Sequence, residues 1–334
     1  MSIRSALANP RSILVGALLV GAAAILGRAW MKSETQAGAC VLGVDIWVGF
    51  GPLYLAEELG YFREDGLDVR FVTMKGTPEM RAALAAREVD AVTTSLDTAL
   101  RNRSSGTAAR VALALDRSTG ADGVVGAAGV TTVGELRGRD VAVQLGTPSE
   151  FLLRVLLDRA GVPAAEVHMI PMDSADAGAA FVAGKVPAAV TWEPWLSKAA
   201  AVPGATMIAS TAEDRSVIVD VLLVRDDVLD QHPERVAALR QGWFRAVAYT
   251  RDHPEDAAKR MSPHFGVDAA NFTDMISGLE YLDADANQTL LAAAPGPGSV
   301  HGVIEAANRI FQATGDAPKR VEASELLAPI ALGH

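Results

Sequence analysis

Residues 180–195, AFVAGKVPAAVTWEPW, decide the fold. They read as the end of a helix, a turn at Gly184-Lys185, a short buried strand over 186–191, and Trp192-Glu193-Pro194-Trp195 beyond it. A similar unit lies at residues 83–94, ALAAREVDAVTT. Aligning Ala83 with Ala180 sets Ala86 on Ala183, Val89 on Val186 and Ala91 on Ala188. Past each strand come polar or aromatic residues, 95–98 in one unit and 192–195 in the other. In open α/β sheets ligands sit at that end of the strands. Two such units suggest two similar lobes whose strand ends face one cleft. Helix–turn–strand units also recur in any α/β protein, and the matching alanines equally serve packing.

The 334 residues suit one large or two medium domains, and half are hydrophobic, enough for a sizeable core. Residues 1–40 stand apart. Arg4 and Arg11 precede an uncharged apolar run at 13–27, followed by Arg28, Lys32 and Ala37-Gly38-Ala39-Cys40. That run is shorter than the ~20 residues of a membrane span and matches the apolar core of a signal peptide. Cys40 is the only cysteine, which rules out an intramolecular disulfide. Three readings remain: lipid attachment at Cys40, ordinary cleavage after Ala39, or an anchor retained through 13–27. All three place the main domain outside the cytoplasmic membrane. Without the first 39 residues the net charge moves from −10 to −13. No basic run is visible, which argues against a nucleic-acid surface.

The chain alternates helix and strand. Gly51-Pro52 opens a helix that stops at Gly60; strands follow over 68–74, 89–94 and 110–115. The turn-rich segment 116–123, DRSTGADG, is the first candidate crossing between lobes. A second series follows, with strands at 140–144 and 167–170 and helices at 148–160 and 175–183. Residues 217–224 form the strand of the return crossing, and the chain is mostly helical from Pro233. The expected lobes are therefore 41–117 with 218–334, and 118–217. One chain with these lobes is read as a monomer.

The candidate chemistry is that of binding. The six histidines are scattered without ligand spacing, so no metal site is expected. There is no G-x-S-x-G elbow, P-loop or G-x-G-x-x-G, and no catalytic residue or cofactor is assigned. Gly146-Thr147-Pro148-Ser149-Glu150 follows a strand and opens a helix with the pattern of a capping box. It is a well-made helix start, and its free N–H groups also suit a polar or anionic group. The segment 95–98, beginning at Ser95, offers the same geometry from the other lobe, and Asp97 is a candidate further acid beside Glu193. Trp47, Phe50 and Tyr54 flank the first strand–helix turn and could wall a cleft or belong to the core. Trp192 brackets Glu193, which could meet a ligand amine or tie the lobes, and Asp122 has the same two readings. No Arg or Lys lies in the Ser95, Thr147 or Trp192 loops, and Lys75 is the nearest basic candidate.

Several stretches, in order, resemble the extracytoplasmic solute-binding proteins of ABC importers, in the nitrate, sulfonate, taurine and thiamine-precursor group. They are Gly49-Phe50-Gly51-Pro52-Leu53-Tyr54-Leu55-Ala56, Gly60-Tyr61-Phe62, Gly66-Leu67-Asp68-Val69, Gly120-Ala121-Asp122 and Leu136-Arg137-Gly138-Arg139 with Val141-Ala142-Val143. Ser174-Ala175-Asp176, Phe181-Val182-Ala183-Gly184-Lys185-Val186 and Thr191-Trp192-Glu193-Pro194-Trp195 complete the set. The resemblance implies a type II periplasmic binding protein: two α/β lobes, a two-strand hinge, and a solute held between them for a membrane permease and its ATPase. It adds Asp176 to the candidate ligand residues. The cysteine-rich motif of the related pyrimidine synthase is absent. Besides the importer receptor for a sulfonate-, taurine- or nitrate-like solute, a receptor for an amine-bearing solute or thiamine-precursor pyrimidine, an enzyme on the same fold, and a sensor ectodomain remain as alternatives.

Overall fold

The computed structural model describes residues 39–329 apart from 75, 293, 297 and 298. The apolar run at 13–27 and Lys75 lie outside the described residues. The strands are β1 (Ala39–Val44), β2 (Asp68–Thr73), β3 (Ala91–Ser95), β4 (Ala109–Ser118), β5 (Asp122–Gly126), β6 (Asp140–Val143), β7 (His168–Pro171), β8 (Ala188–Trp192), β9 (Thr206–Ser210), β10 (Val219–Arg225) and β11 (Leu279–Tyr281). They form two sheets, ordered β11-β4-β10-β3-β1-β2 and β7-β6-β8-β5-β9. Helices pack on both, giving the two α/β lobes expected from the sequence.

Each sheet is mixed. In the first, β1 runs parallel to β3, while β10 is antiparallel to both β3 and β4. In the second, β6 is parallel to β7 and β8, and β5 is antiparallel to β8 and β9. The central strands β3, β4 and β10 are buried along most of their length, and β4 and β10 are mostly apolar, as strands covered on both faces are. The chain leaves the first sheet after Ser118, enters the second at Asp122, and returns between Ser210 and Val219. The Ser118 and Thr211 hydroxyls, 2.7 Å apart, join the two crossings, and Thr211 Oγ1 also accepts from the Gly120 N–H.

The repeated unit is real in three dimensions. Helix Thr77–Ala85 leads into β3 of the first sheet, and helix Ser174–Val182 leads into β8 of the second. Both turns close alike: Glu88 N–H bonds to Ala83 C=O, and Lys185 N–H to Ala180 C=O, the wide 6→1 bond of a Schellman ending. That ending needs a left-handed residue. Gly184 supplies it at φ 67°, and the aligned position in the other unit is Arg87 at φ 59°.

Three features differ from the sequence reading. The first crossing is shorter than 116–123, because β4 continues through Asp116 to Ser118. Residues 206–210 form edge strand β9, whose half-exposed TMIAS lacks a strong apolar alternation. Residues 279–281 add the three-residue edge strand β11, too short to show a period.

The two turns make a matched test. A side chain in the left-handed region costs roughly 1 kcal/mol, and a Cβ on Gly184 would meet nothing within 4 Å, so only backbone strain is at stake. Gly184→Ala is expected to lower stability in urea by about 1 kcal/mol, whereas Arg87→Gly should be neutral or stabilising. Destabilisation by Arg87→Gly of the same size would show that the side chain, not the strain, dominates there.

Candidate functional site

Strand direction brings one set of ends together. β3 is parallel to β1 and antiparallel to β10, so the ends of β1 and β3 and the start of β10 lie on one edge of the first sheet. Beyond that edge lies a cavity of about 550 Å³. Its wall takes Asp45, Trp47, Ser95 and Asp220 from the first lobe, and Asp122, Gln144, Thr147 and Trp192 from the second. Trp47 and Trp192 meet edge to face across it, ring centres 6.1 Å apart.

Below the tryptophans is a knot of acids set by strand register. Asp220 on β10 pairs with Asp116 on β4 and with Ser95 on β3. Asp122, the first residue of β5, pairs with Trp192 on β8. Asp116, Asp122 and Asp220 are 1%, 4% and 7% exposed. No N–H or hydroxyl donor meets Asp116 or Asp122 Oδ2, and Trp47 Nε1 lacks an acceptor, but the Asp220 carboxyl reaches Asp116 and favours its ionised form. The indole nitrogen faces the Asp116 carboxyl closely enough to favour its ionised form, yet without hydrogen-bond alignment.

Burial without a cation raises all three acids. Asp116 is pushed up to about 7 by burial, the Asp122 charge adding to it. Asp122 rises to about 6 by burial, with the Ser118 hydroxyl opposing and the Glu193 charge adding. Asp220 rises well above the carboxylate range through burial and the charges of Asp116, Asp122 and Asp97. Burial and the nearby Asp116 likewise raise the Tyr281 phenol, whose hydroxyl donates to Val48 C=O.

The structure places Trp47, Phe50, Ser95, Asp122, Thr147 and Trp192 in the cavity wall. The other sequence candidates lie elsewhere. Tyr54 stacks on His264 and Phe71. Asp97 is buried behind the wall, 3.6 Å from Arg101. Ser149 is buried against the Ser174 hydroxyl, and Asp176 is exposed in the first turn of its helix. The Glu193 carboxylate accepts from the Ser197 N–H and hydroxyl, and its own N–H bonds to Ala121 C=O at the first crossing. Cys40 is the second residue of β1, with its side chain buried.

The expected capping box at Thr147 does not form. The Thr147 hydroxyl donates to Gln144 C=O, and Glu150 accepts from the Gly146 N–H and from Arg154. No side chain caps helix Pro148–Arg159, so its first N–H groups stay unbonded by a cap beside the cavity. A second correction concerns cations. Arg101 and Arg81 both reach the wall. Arg101 lies far enough down helix Leu96–Ser104 to read as a surface residue. It donates to Gly146 C=O of the opposite lobe at 2.6 Å, pairs with Asp97, and lies 4.8 Å over the Phe311 ring. Only the helical offset from Ser95 could have marked it.

The raised Asp116 has a consequence for stability. The unfolded chain ionises this acid near 3.9, so its contribution is full below that pH and is lost as pH rises toward 7. Asp116→Asn keeps the shape and removes the ionisation. Its stabilising effect in urea should be larger at pH 8 than at pH 4, by on the order of 3 kcal/mol. Equal effects at both pH values would mean that Asp116 is not held protonated.

The fold has known counterparts. The family described as "NMT1/THI5 like" matches residues 47–257. A Bacillus subtilis (strain 168) protein named "Putative aliphatic sulfonates-binding protein" is 24% identical over 247 residues, 72% of this chain and 74% of its own. The periplasmic aliphatic sulphonate binding protein of Escherichia coli superposes with a TM-score of 0.70 at 20% identity, over 87% of this chain and 97% of that one. The alkanesulfonate-binding protein of Xanthomonas axonopodis pv. citri, solved bound to MOPS, gives 0.67 at 19%, over 87% and 98%. The architecture is that of the periplasmic binding proteins, and the chain belongs to the NMT1/THI5-like family.

Proposed function

We propose that this protein is a solute receptor of an ABC importer, working outside the cytoplasmic membrane, that captures a small polar organic solute between its lobes and hands it to a permease and ATPase. The observation that carries this reading is the cavity itself: about 550 Å³, walled from both lobes, at the strand ends where such folds receive ligands. Its size admits a solute of several heavy atoms. Its equipment is two tryptophans, hydroxyls, an amide and charged groups, which suit recognition of a polar organic solute. Two structures of the same fold support the importer role, one described as the ligand binding component of an ABC-type import system from Staphylococcus aureus and one as the periplasmic sulfonate-binding protein of a "putative sulfonate ABC transporter" from Methylobacillus flagellatus. The buried side chain of Cys40 favours cleavage after Ala39 over lipid attachment.

A solute touching both walls stabilises the closed arrangement, and only through contacts it makes to both. The crossings at 118–122 and 210–219 are where the lobes would swing. Protein stripped of solute by dialysis from denaturant and refolded should show a larger radius of gyration in X-ray scattering than protein saturated with its co-purified solute. Identical radii in both states would remove the receptor mechanism.

A further inference from the structure

The acids at the cavity floor have no use in holding a bare anion. Among the described residues no cation neutralises them: Arg101 is engaged by Asp97 and Gly146, Arg117 on β4 is paired with Glu280, and Arg81, on the cavity wall, supplies no counter-charge to Asp116, Asp122 or Asp220. The charged and titratable groups facing the knot from neighbouring elements are Asp97 from helix Leu96–Ser104, Glu193 after β8, and Tyr281 on β11. The Asp97 and Glu193 charges make the local field more negative, while Tyr281 stays a neutral phenol. Asp122 is both buried and cavity-lining, and one of its oxygens lacks any partner. A buried polar atom left unmet is costly unless something arrives to meet it. Trp47 and Trp192 line the same cavity as Asp122, and aromatic faces attract cations.

We propose that the solute is an organic cation, its protonated nitrogen seated on Asp122 and Asp220 beneath Trp47 and Trp192, and that its arrival expels a proton from the Asp116–Asp122–Asp220 knot to solvent. The inference rests on the receptor reading above and names its substrate class. Charge balances: the carboxyl O–H proton leaves to buffer as the ammonium N–H groups take its place on the oxygen. A metal ion fits less well, because among the described residues no three His, Cys, Asp or Glu side chains converge as a metal's ligand set. The sign of the proton exchange separates solute classes. A cation favours ionised acids and releases protons on binding, whereas an anion favours neutral acids and takes protons up.

The test uses the full refolded chain and two probe series, benzylammonium, histamine, agmatine and choline against benzenesulfonate, ethanesulfonate and nitrate. Thermal-shift screening finds the binders. Calorimetry at pH 6.5 in phosphate and in Tris, whose ionisation enthalpies differ, then reads proton exchange. The expected result is binding by at least one cation, with a fraction of a proton released. Asp122→Asn should weaken that cation about tenfold or more. Because the substitution removes an ionisation that folding disfavours, it is expected to fold, and circular dichroism confirms this. Binding confined to the anions, or proton uptake by a bound cation, overturns the inference and leaves the receptor reading standing. An Asp122→Asn variant that folds and binds the cation as tightly as wild type also overturns it. Binding by neither series overturns this inference together with the receptor reading.

Discussion

Three carboxyl groups lie buried with no cation among them, and the rest of the site follows from that constraint. Ionised acids in a low-dielectric interior repel one another and lose hydration, so each must be neutralised by a proton, a partner or a ligand. Here burial raises Asp116, Asp122 and Asp220 together. Protein hydrogen bonds offset only part of this, since Asp116 has the Asp220 carboxyl beside it and no N–H or hydroxyl donor meets Asp122 Oδ2. On the proposed cation reading, the site is poised near neutral pH between a protonated empty state and an ionised occupied one.

The scaffold enforces the arrangement through backbone pairing. Asp220 cannot leave Asp116, because β10 and β4 are hydrogen-bonded along seven aligned positions. Asp122 opens the strand that receives the chain from the first crossing, and the Thr211 N–H holds its carbonyl from the second. The acid knot thus sits where the two lobes are joined, and Trp47 and Trp192 cover it from opposite lobes. Arg101 makes a further link, reaching Gly146 of the second lobe while resting on Phe311. Phe311 in turn packs against Phe151, ring centres 5.5 Å apart. Solute contacts, lobe contacts and crossing strands are all within one small region, which is how a ligand of modest size can bias the position of a whole lobe.

Much of this was legible in the sequence where the signal is local. Gly184, the apolar periods and the helix-opening prolines are local signals, and they gave two α/β series with strand ends facing one place. Residues just past those ends, Ser95, Thr147 and Trp192, reached the cavity wall for that reason. Most of what failed depended on distant pairing. Asp116 ends an apolar run and reads as the first residue of a turn, and only its pairing with β10 and β11 reveals that it is buried. Asp220 reads as a polar interruption in a strand. Tyr54 is drawn from the cleft by His264, a partner invisible from its own neighbourhood. Glu193 turns to its own helix start, a local contact that the flanking tryptophans obscured.

The most direct measurement of the central claim is carbon-detected NMR of aspartate side chains, labelled at the carboxyl carbon, titrated in the solute-free protein. Asp116 and Asp122 should show midpoints near 7 and 6, well separated from the exposed aspartates. Addition of a bound cation should drive both toward the ionised chemical shift at constant pH. Titration of both groups near 4, with no response to bound solute, would show that the acids are ionised and satisfied without a ligand, and would contradict the account.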